Sequence, residues 1–341
     1  MKILLIKMSS MGDLFHTFPA LTDLKAHHPD AEIDWLVEES FAEIAAWHPA
    51  VNRVIPINLR QWMKHKRRED LRAFKAWRHE LQQKQYDLVL DAQGLLKSAV
   101  ITRFANASES HGYHTDSARE AIASWFYQVK HHVNKDEHAV LRTRKLFAST
   151  FGYPLEESFR FGIQEHFTGG SADSKQLIFI PGSSWRTKLW SLEAWQGLTV
   201  LATEQGYQVE IIWGSDDERQ MADCIATSHP QAWRSAERQS ITRVAEKLVS
   251  AAGVVGMDTG FSHLSGALET PTVALYGPTS PTKVGLIGDH TVNMTLTPAL
   301  PCMPCHKRQC RFLPADSAET PPCMKDIDPS HVWQALQEKM S

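Results

Sequence analysis

Long apolar runs are scarce in this sequence, and none reaches the roughly 20 residues that a membrane-spanning helix needs. The opening stretch from Met1 to Met8 is apolar but only of strand length, and it meets Ser9 and Gly12 directly. It is too short for a signal-peptide core with a small-residue cleavage site and reads as a first buried strand. Charge of one sign is not in excess either. The formal net charge is −3, which gives no global reason to expect a nucleic-acid partner. Five cysteines, four of them crowded between Cys302 and Cys323, do not make the disulfide framework of a secreted protein. No GxGxxG fingerprint follows either candidate first strand: the first continues MSSMGD and the second PGSSWR. This weakens a dehydrogenase reading, as does the lack of a Tyr-x-x-x-Lys pair. No GxxxxGK followed by Ser or Thr occurs, so a P-loop NTPase is not expected. Solenoid-length repeats and low-complexity tracts are also missing.

The chain has 341 residues, 43% hydrophobic and 22% charged, a globular composition longer than one ordinary domain of about 150 residues. Strand and helix signals alternate through the first half. KILLIKM, EIDWLVEE and DLVLDAQ read as strands. Helices are expected from Leu14 to Lys25, Phe41 to Trp47, Arg68 to Gln83, Ser98 to Phe104, Ser117 to Gln128 and Glu137 to Ser149. The Gly- and Ser-rich stretch HFTGGSADSK, residues 166–175, is the linker candidate. After it the alternation restarts with QLIFIPG, YQVEIIWG, GVVGMD and TVALYG as strands. Two Rossmann-like halves are therefore expected, residues 1–165 and 176–328, followed by an amphipathic helix within 329–341 that carries Val332, Trp333, Leu336 and Met340 on one face.

In open parallel sheets, ligands bind beyond the carboxyl ends of the strands. Three loops at such positions carry chemistry. Ser9-Ser10-Met11-Gly12-Asp13 follows the first strand, and Asp13 fits a helix cap and a catalytic carboxylate equally well on spacing. Pro181 to Lys188 exposes backbone N–H groups, two hydroxyls and the Lys188 ammonium, although a plain surface loop would look the same. Asp258-Thr259-Gly260-Phe261-Ser262-His263 opens a helix whose N-terminus could cradle a pyrophosphate or could simply be capped. A diphosphate cradle in the second half and a carboxylate in the first suit group transfer from a nucleotide diphosphate better than hydride transfer. Between Arg60 and Arg78 lie Lys64, Lys66, Arg67, Arg68, Arg72 and Lys75, against only Glu69 and Asp70, with Trp62 and Trp77 among them. This patch suits an anionic membrane or phosphorylated and carboxylated ligands, and equally a solvated helix face.

The segments KMSSMGDLFHTFPALTDL, IDWLVEESFAEIAAWHPAVNRVIPINLRQW, YDLVLDAQGLLKSA, DSAREAIASWFY, HAVLRTRKLFA, SSWRTKLWSLEAW and GMDTGFSHLSGALETPTVALYGPTSP together resemble the lipopolysaccharide heptosyltransferases of glycosyltransferase family 9, type I above all. The likeness runs from residue 1 to about residue 285. It implies an α/β fold of GT-B type, two Rossmann-like domains whose parallel sheets face a central cleft, with acceptor binding in the first domain and nucleotide-sugar binding in the second. It implies an inverting, metal-independent transfer of L-glycero-D-manno-heptose from the ADP-sugar to the Kdo residue of Kdo2-lipid A. The enzyme would be cytoplasmic and peripheral to the inner face of the bacterial membrane, without a cofactor. By the family motif Asp13 is the general base and Lys188 stabilises the leaving group. Ser184, Thr187, Lys188, Glu218, Asp258, Thr259, Gly260 and His263 match donor-side positions. Ser10, Gly12, Arg60, Lys64, Lys97, Arg119, His138 and Arg142 match acceptor-side positions, leaving Lys66, Arg67 and Arg68 as membrane contacts.

The tail departs from type I. Cys302, Cys305, Cys310 and Cys323, with His306 among them, look more like types II and III, which add heptose to a heptose. Four thiolates, or three with a histidine, could also close a structural zinc shell, whereas reduced, partly buried thiols account for the same residues. A reading from another class is a non-catalytic nucleotide-sugar or lipid A binding module. Asp13 speaks against it, because a pure binder has no need of a carboxylate facing the acceptor.

Overall fold

The computed structural model describes residues 1–65, 68–167, 175–314 and 317–341. The chain divides into two compact units, Met1–His166 and Phe167–Ser341. Most of the expected linker, residues 168–174, lies outside the described residues, as do Lys66 and Arg67.

The first unit opens with β1 (Lys2–Ile6), α1 (Met11–Phe15), α2 (Phe18–His27), β2 (Glu32–Glu38), α3 (Ala42–Ala46) and β3 (Val51–Ile57). It continues with α4 (Leu59–His65), α5 (Arg68–Leu81), β4 (Gln85–Asp91), α6 (Leu96–Thr102), β5 (Asn106–Tyr113), β6 (Val129–His131) and α7 (Ala139–Phe151). Its six strands order β3-β2-β1-β4-β5-β6 and pair in parallel throughout. That order follows from β1, buried from Ile3 to Ile6, taking the middle of a sheet covered on both faces. The helix expected from Leu14 to Lys25 is two helices. Pro19 has no N–H to give a continuing helix, so α2 starts afresh with Thr17 as its cap.

The second unit opens with β7 (Gln176–Ile180), α8 (Leu192–Glu204), β8 (Gln208–Ile211), α9 (Asp216–Ala226), β9 (Ala232–Arg234) and α10 (Ile241–Ser250). It continues with β10 (Gly253–Met257), α11 (Gly260–Ala267), β11 (Thr272–Tyr276), α12 (Pro281–Val284), β12 (Thr291–Thr295), α13 (Pro322–Lys325) and α14 (Pro329–Met340). The strands order β12-β11-β10-β7-β8-β9, again all parallel, which is the first sheet's winding repeated. Val332, Trp333 and Leu336 of α14 are buried in this unit's core with Trp190, Trp195 and Phe179.

Each sheet has one place where strand order reverses. In the first it lies between β1 and β4, in the second between β7 and β10. Loops leaving adjacent strands there diverge to opposite faces and open a crevice at the carboxyl ends. The loop after β1 carries Asp13, the loop after β4 leads to Lys97, the loop after β7 carries Lys188, and the loop after β10 carries Asp258 and Thr259.

A further sequence expectation is corrected here. The helix expected from Ser117 to Gln128 is a short 3-10 turn, Ala121–Phe126. Tyr127 is extended because its hydroxyl donates to buried Asp91 at 2.7 Å and its ring fills the space that Gly112 leaves by having no side chain. In the basic patch, Trp77 is buried and Trp62 half-buried. They pack against Phe74, ring centroids 5.7 and 5.9 Å away, and the Trp77 indole N–H donates to the Pro56 carbonyl.

Candidate functional site

The first unit's site is built around α1. Ser10 is its cap, and Asp13, three residues on, accepts from both the Ser10 N–H at 2.8 Å and the Ser10 hydroxyl at 2.9 Å. The N-cap is thus Ser10 and not Asp13, which lies one turn in as the carboxylate partner of a capping box, and its side chain keeps 24% exposure at the strand-end crevice. Lys7, the last polar residue of the KILLIK run, is buried below it and donates to the Ala92 carbonyl at 3.0 Å. Burial alone would raise the Asp13 pKa, but Lys7, the Ser10 N–H, His16 and Arg119 outweigh it and hold the carboxyl at about 2. Burial in turn lowers the Lys7 pKa, opposed by Asp13 and Asp91.

Of the expected acceptor-side residues, Arg119 reaches Asp13, with Nη1 4.0 Å from Oδ2. His138 caps α7 by accepting from the Val140 N–H, and its ring lies edge-on to His16 at 5.6 Å. Arg142 is anchored to the Ser117 carbonyl at 2.7 Å and lies over the Tyr113 ring. Arg60 and Lys97 act on a different group, Glu38 at the end of β2. Arg60 donates its N–H to Glu38 and brings Nε to 3.8 Å, and the Lys97 charge also offsets the rise in Glu38 pKa that burial causes. Ser10 and Lys64 are exposed, and Gly12 is half-buried.

The second unit's site centres on Asp258, 7% exposed at the end of β10. Lys188 Nζ lies 2.6 Å from Asp258 Oδ2, the Thr279 hydroxyl donates to the same oxygen at 2.6 Å, and His263 Nε2 is 3.5 Å from Oδ1. Burial opposes ionisation of Asp258, yet His263 and Lys188 drive its pKa far below the ordinary carboxylate value. Lys188 also lies over the Trp185 ring at 4.8 Å. Thr259 caps α11 with extended dihedrals, and its hydroxyl oxygen is buried without a hydrogen-bond partner. Buried polar atoms are nearly always satisfied, and this unpaired hydroxyl stands at a helix N-terminus, next in sequence to the Asp258 that pairs with Lys188.

Glu218 accepts from the Gly214 N–H at 2.7 Å, and a Cβ at Gly182 would collide with its carboxylate. Gly182 in the loop after β7 therefore makes room for Glu218. Thr187 is placed differently from the donor-side expectation: it is buried and its hydroxyl donates to the Lys307 carbonyl, so it ties the loop to the tail. Ser184 is exposed.

Sequence reasoning passed over Lys7, Glu38 and Thr279. A lysine inside an apolar strand and a glutamate at a strand's carboxyl end were the available signals for the first two. The four tail cysteines are free thiols that line one cavity of about 210 Å³ with Thr187 and Pro278. Burial and the neighbouring thiols raise Cys323 to about 11. Among the described residues the trio of possible metal ligands drawn within 4.8 Å of one another is not cysteine but His114, Asp116 and His132.

Two doubly wound units, each with a charged crevice at its switch point, define the architecture of nucleotide-sugar-dependent glycosyltransferases. The model of glycosyltransferase family 9 (heptosyltransferase) matches residues 74–315. Lipopolysaccharide heptosyltransferase 1 of Pseudomonas aeruginosa is 40% identical over 99% of this chain and 97% of its own length. The structure of E. coli heptosyltransferase WaaC with ADP superposes with a TM-score of 0.85 at 36% identity, covering 99% of this chain and 100% of that one. The same enzyme with ADP-2-deoxy-2-fluoro heptose gives 0.80 at 40% identity, covering 85% and 92%. The chain belongs to glycosyltransferase family 9, the heptosyltransferases, and its fold is of GT-B type.

Proposed function

We propose that this chain transfers L-glycero-D-manno-heptose from the ADP-sugar to the Kdo of Kdo2-lipid A, with inversion, in building the lipopolysaccharide inner core. The likeness to a heptosyltransferase 1 at 40% identity across 99% of the chain is the observation that carries this reading. It favours Kdo over a heptose acceptor, because the relatives named heptosyltransferase 2 are only 24–27% identical.

In this reading the diphosphate of the donor takes the place prepared by Lys188, the Thr259 hydroxyl and the first N–H groups of α11. Asp258 stays ionised and keeps the Lys188 ammonium oriented. Glu218 and Gly182, side by side, suit the nucleoside's hydroxyls. As the C1–O bond to ADP breaks, charge builds on the leaving diphosphate, and donors already pointing there stabilise it without reorganising. Asp13 receives the acceptor hydroxyl's proton. A carboxyl held at about 2 is ionised at any physiological pH but is a weak base. The transfer becomes favourable only as the hydroxyl, attacking an oxocarbenium-like carbon, turns acidic. The step thus belongs to the transition state rather than to the bound ground state. Ser10, Gly12, Arg119, His138 and Arg142 would hold the acceptor's carboxylates on this side, with Arg60, Lys64 and Lys97 toward its phosphates.

The same reading places the first unit against the anionic inner leaflet. Met63 and Leu71, 60% and 56% exposed, stand beside Lys64 and Arg68 on α4 and α5, a mixture that suits a lipid headgroup region. Turnover of ADP-heptose with purified Kdo2-lipid A as sole acceptor tests the proposal. Heptose incorporation is expected. Activity only with a heptosylated acceptor would assign the type II reaction, and ADP-heptose binding without turnover on either would leave a binding module.

A further inference from the structure

We infer that His114, Asp116 and His132 form a surface site for a divalent transition-metal ion, separate from the transfer site. The strands dictate the meeting. β5 and β6 run parallel with Tyr113 opposite His131, so the residues that follow, His114 and His132, leave the sheet side by side. The His114 N–H donates to the His131 carbonyl at 2.8 Å, which continues the ladder by one step. The two imidazoles stack with centroids 3.7 Å apart. Asp116 then turns back over them: Oδ1 lies 2.9 Å from His114 Nδ1 and Oδ2 3.1 Å from His132 Nδ1. The ligand atoms of all three residues lie within 4.8 Å of one another, so rotating the two exposed-edge rings about their side-chain bonds would bring their lone pairs onto one ion held at about 2.0–2.2 Å.

Two imidazoles and a carboxylate are the donor set that zinc, nickel and copper prefer over calcium or magnesium. On binding, each neutral ring that carries its proton on Nδ1 moves it to Nε2, and the ion takes the vacated Nδ1 lone pairs and one or both carboxylate oxygens. Water completes the shell on the exposed side, where Asp116 and His132 are 63% and 67% accessible. The carboxylate is already oriented from behind, since the Ser117 hydroxyl donates to Oδ1 at 2.7 Å, the kind of support that metal-binding carboxylates have. That same turn carries the Ser117 carbonyl that anchors Arg142, so an ion here braces the segment leading to Arg119.

Chelator-treated full-length protein titrated with zinc chloride by calorimetry tests the site, beside His132→Gln and Asp116→Asn. Both side chains are mostly exposed, so the metal-free variants should unfold at the wild-type temperature, which serves as the folding control. Each variant is expected to take up one equivalent of zinc less than wild type and to lose the rise in unfolding temperature that zinc gives the wild-type chain. Any zinc held by the tail thiols appears equally in all three proteins and cancels. Equal stoichiometry in wild type and His132→Gln, or no saturable uptake by wild type, overturns the inference.

Discussion

Lys188 and Asp258 form a buried ion pair, with the ammonium 2.6 Å from the carboxylate and side-chain exposures of 14% and 7%. Removing one member of such a pair strands the other charge away from water. Lys188→Met should therefore cost about 3–5 kcal/mol of stability at neutral pH. The Asp258 pKa is depressed in the folded state, so its contribution is complete above the ordinary carboxyl value of 3.8 and is lost as pH falls below it. The gap between wild type and Lys188→Met should thus narrow below about pH 4. Urea unfolding at several pH values checks both the cost and its direction.

Lys7 sits beneath Asp13 and is the largest influence lowering its pKa. Lys7→Gln should let burial dominate, so the Asp13 pKa rises. In a pH profile of kcat/KM the acid limb of the variant should move to higher pH, with ADP affinity unchanged. A limb in the same place would separate Lys7 from the base.

Gly182→Ala should weaken ADP binding with little loss of stability. The added methyl meets the Glu218 carboxylate, a side chain that can swing aside but then leaves its place. Calorimetric ADP titration of the variant measures this directly.

His48 and His131 are both held down to about 4, mainly by burial. Below the ordinary histidine value of 6.5 the unfolded chain takes up protons that the folded chain refuses. Stability should accordingly decline as pH drops from about 6.5 to 4, and His48→Gln should flatten that decline. Unfolding midpoints across that range decide it.

The central strands and the loops that follow them were legible in the sequence, because a strand buried on both faces leaves a continuous apolar run. That is why the loops with Asp13, Lys188 and Asp258 stood out before any geometry was known. β5, Asn106–Tyr113, was not legible. Its sequence NASESHGY has no apolar period, and its buried His111 is satisfied by His131 and Glu109, which only the fold brings together. β3, β6, β9 and β12 are short or half-exposed and leave little signal. Among the candidate site residues, Asp13, Lys188, Asp258 and Thr259 could be picked out from their loops, and Glu218 through the family resemblance. That Thr187 turns toward Lys307, and that Arg60 and Lys97 gather at Glu38, depends on side-chain directions that spacing does not encode.

The central claim, that Asp13 accepts the proton, is tested most directly by measuring turnover and ADP affinity together for Asp13→Asn. The amide keeps the shape of the side chain and can still accept from Ser10, so the fold and ADP affinity should persist while turnover drops on the order of 10²–10⁴-fold. Turnover within a few-fold of wild type would contradict the assignment.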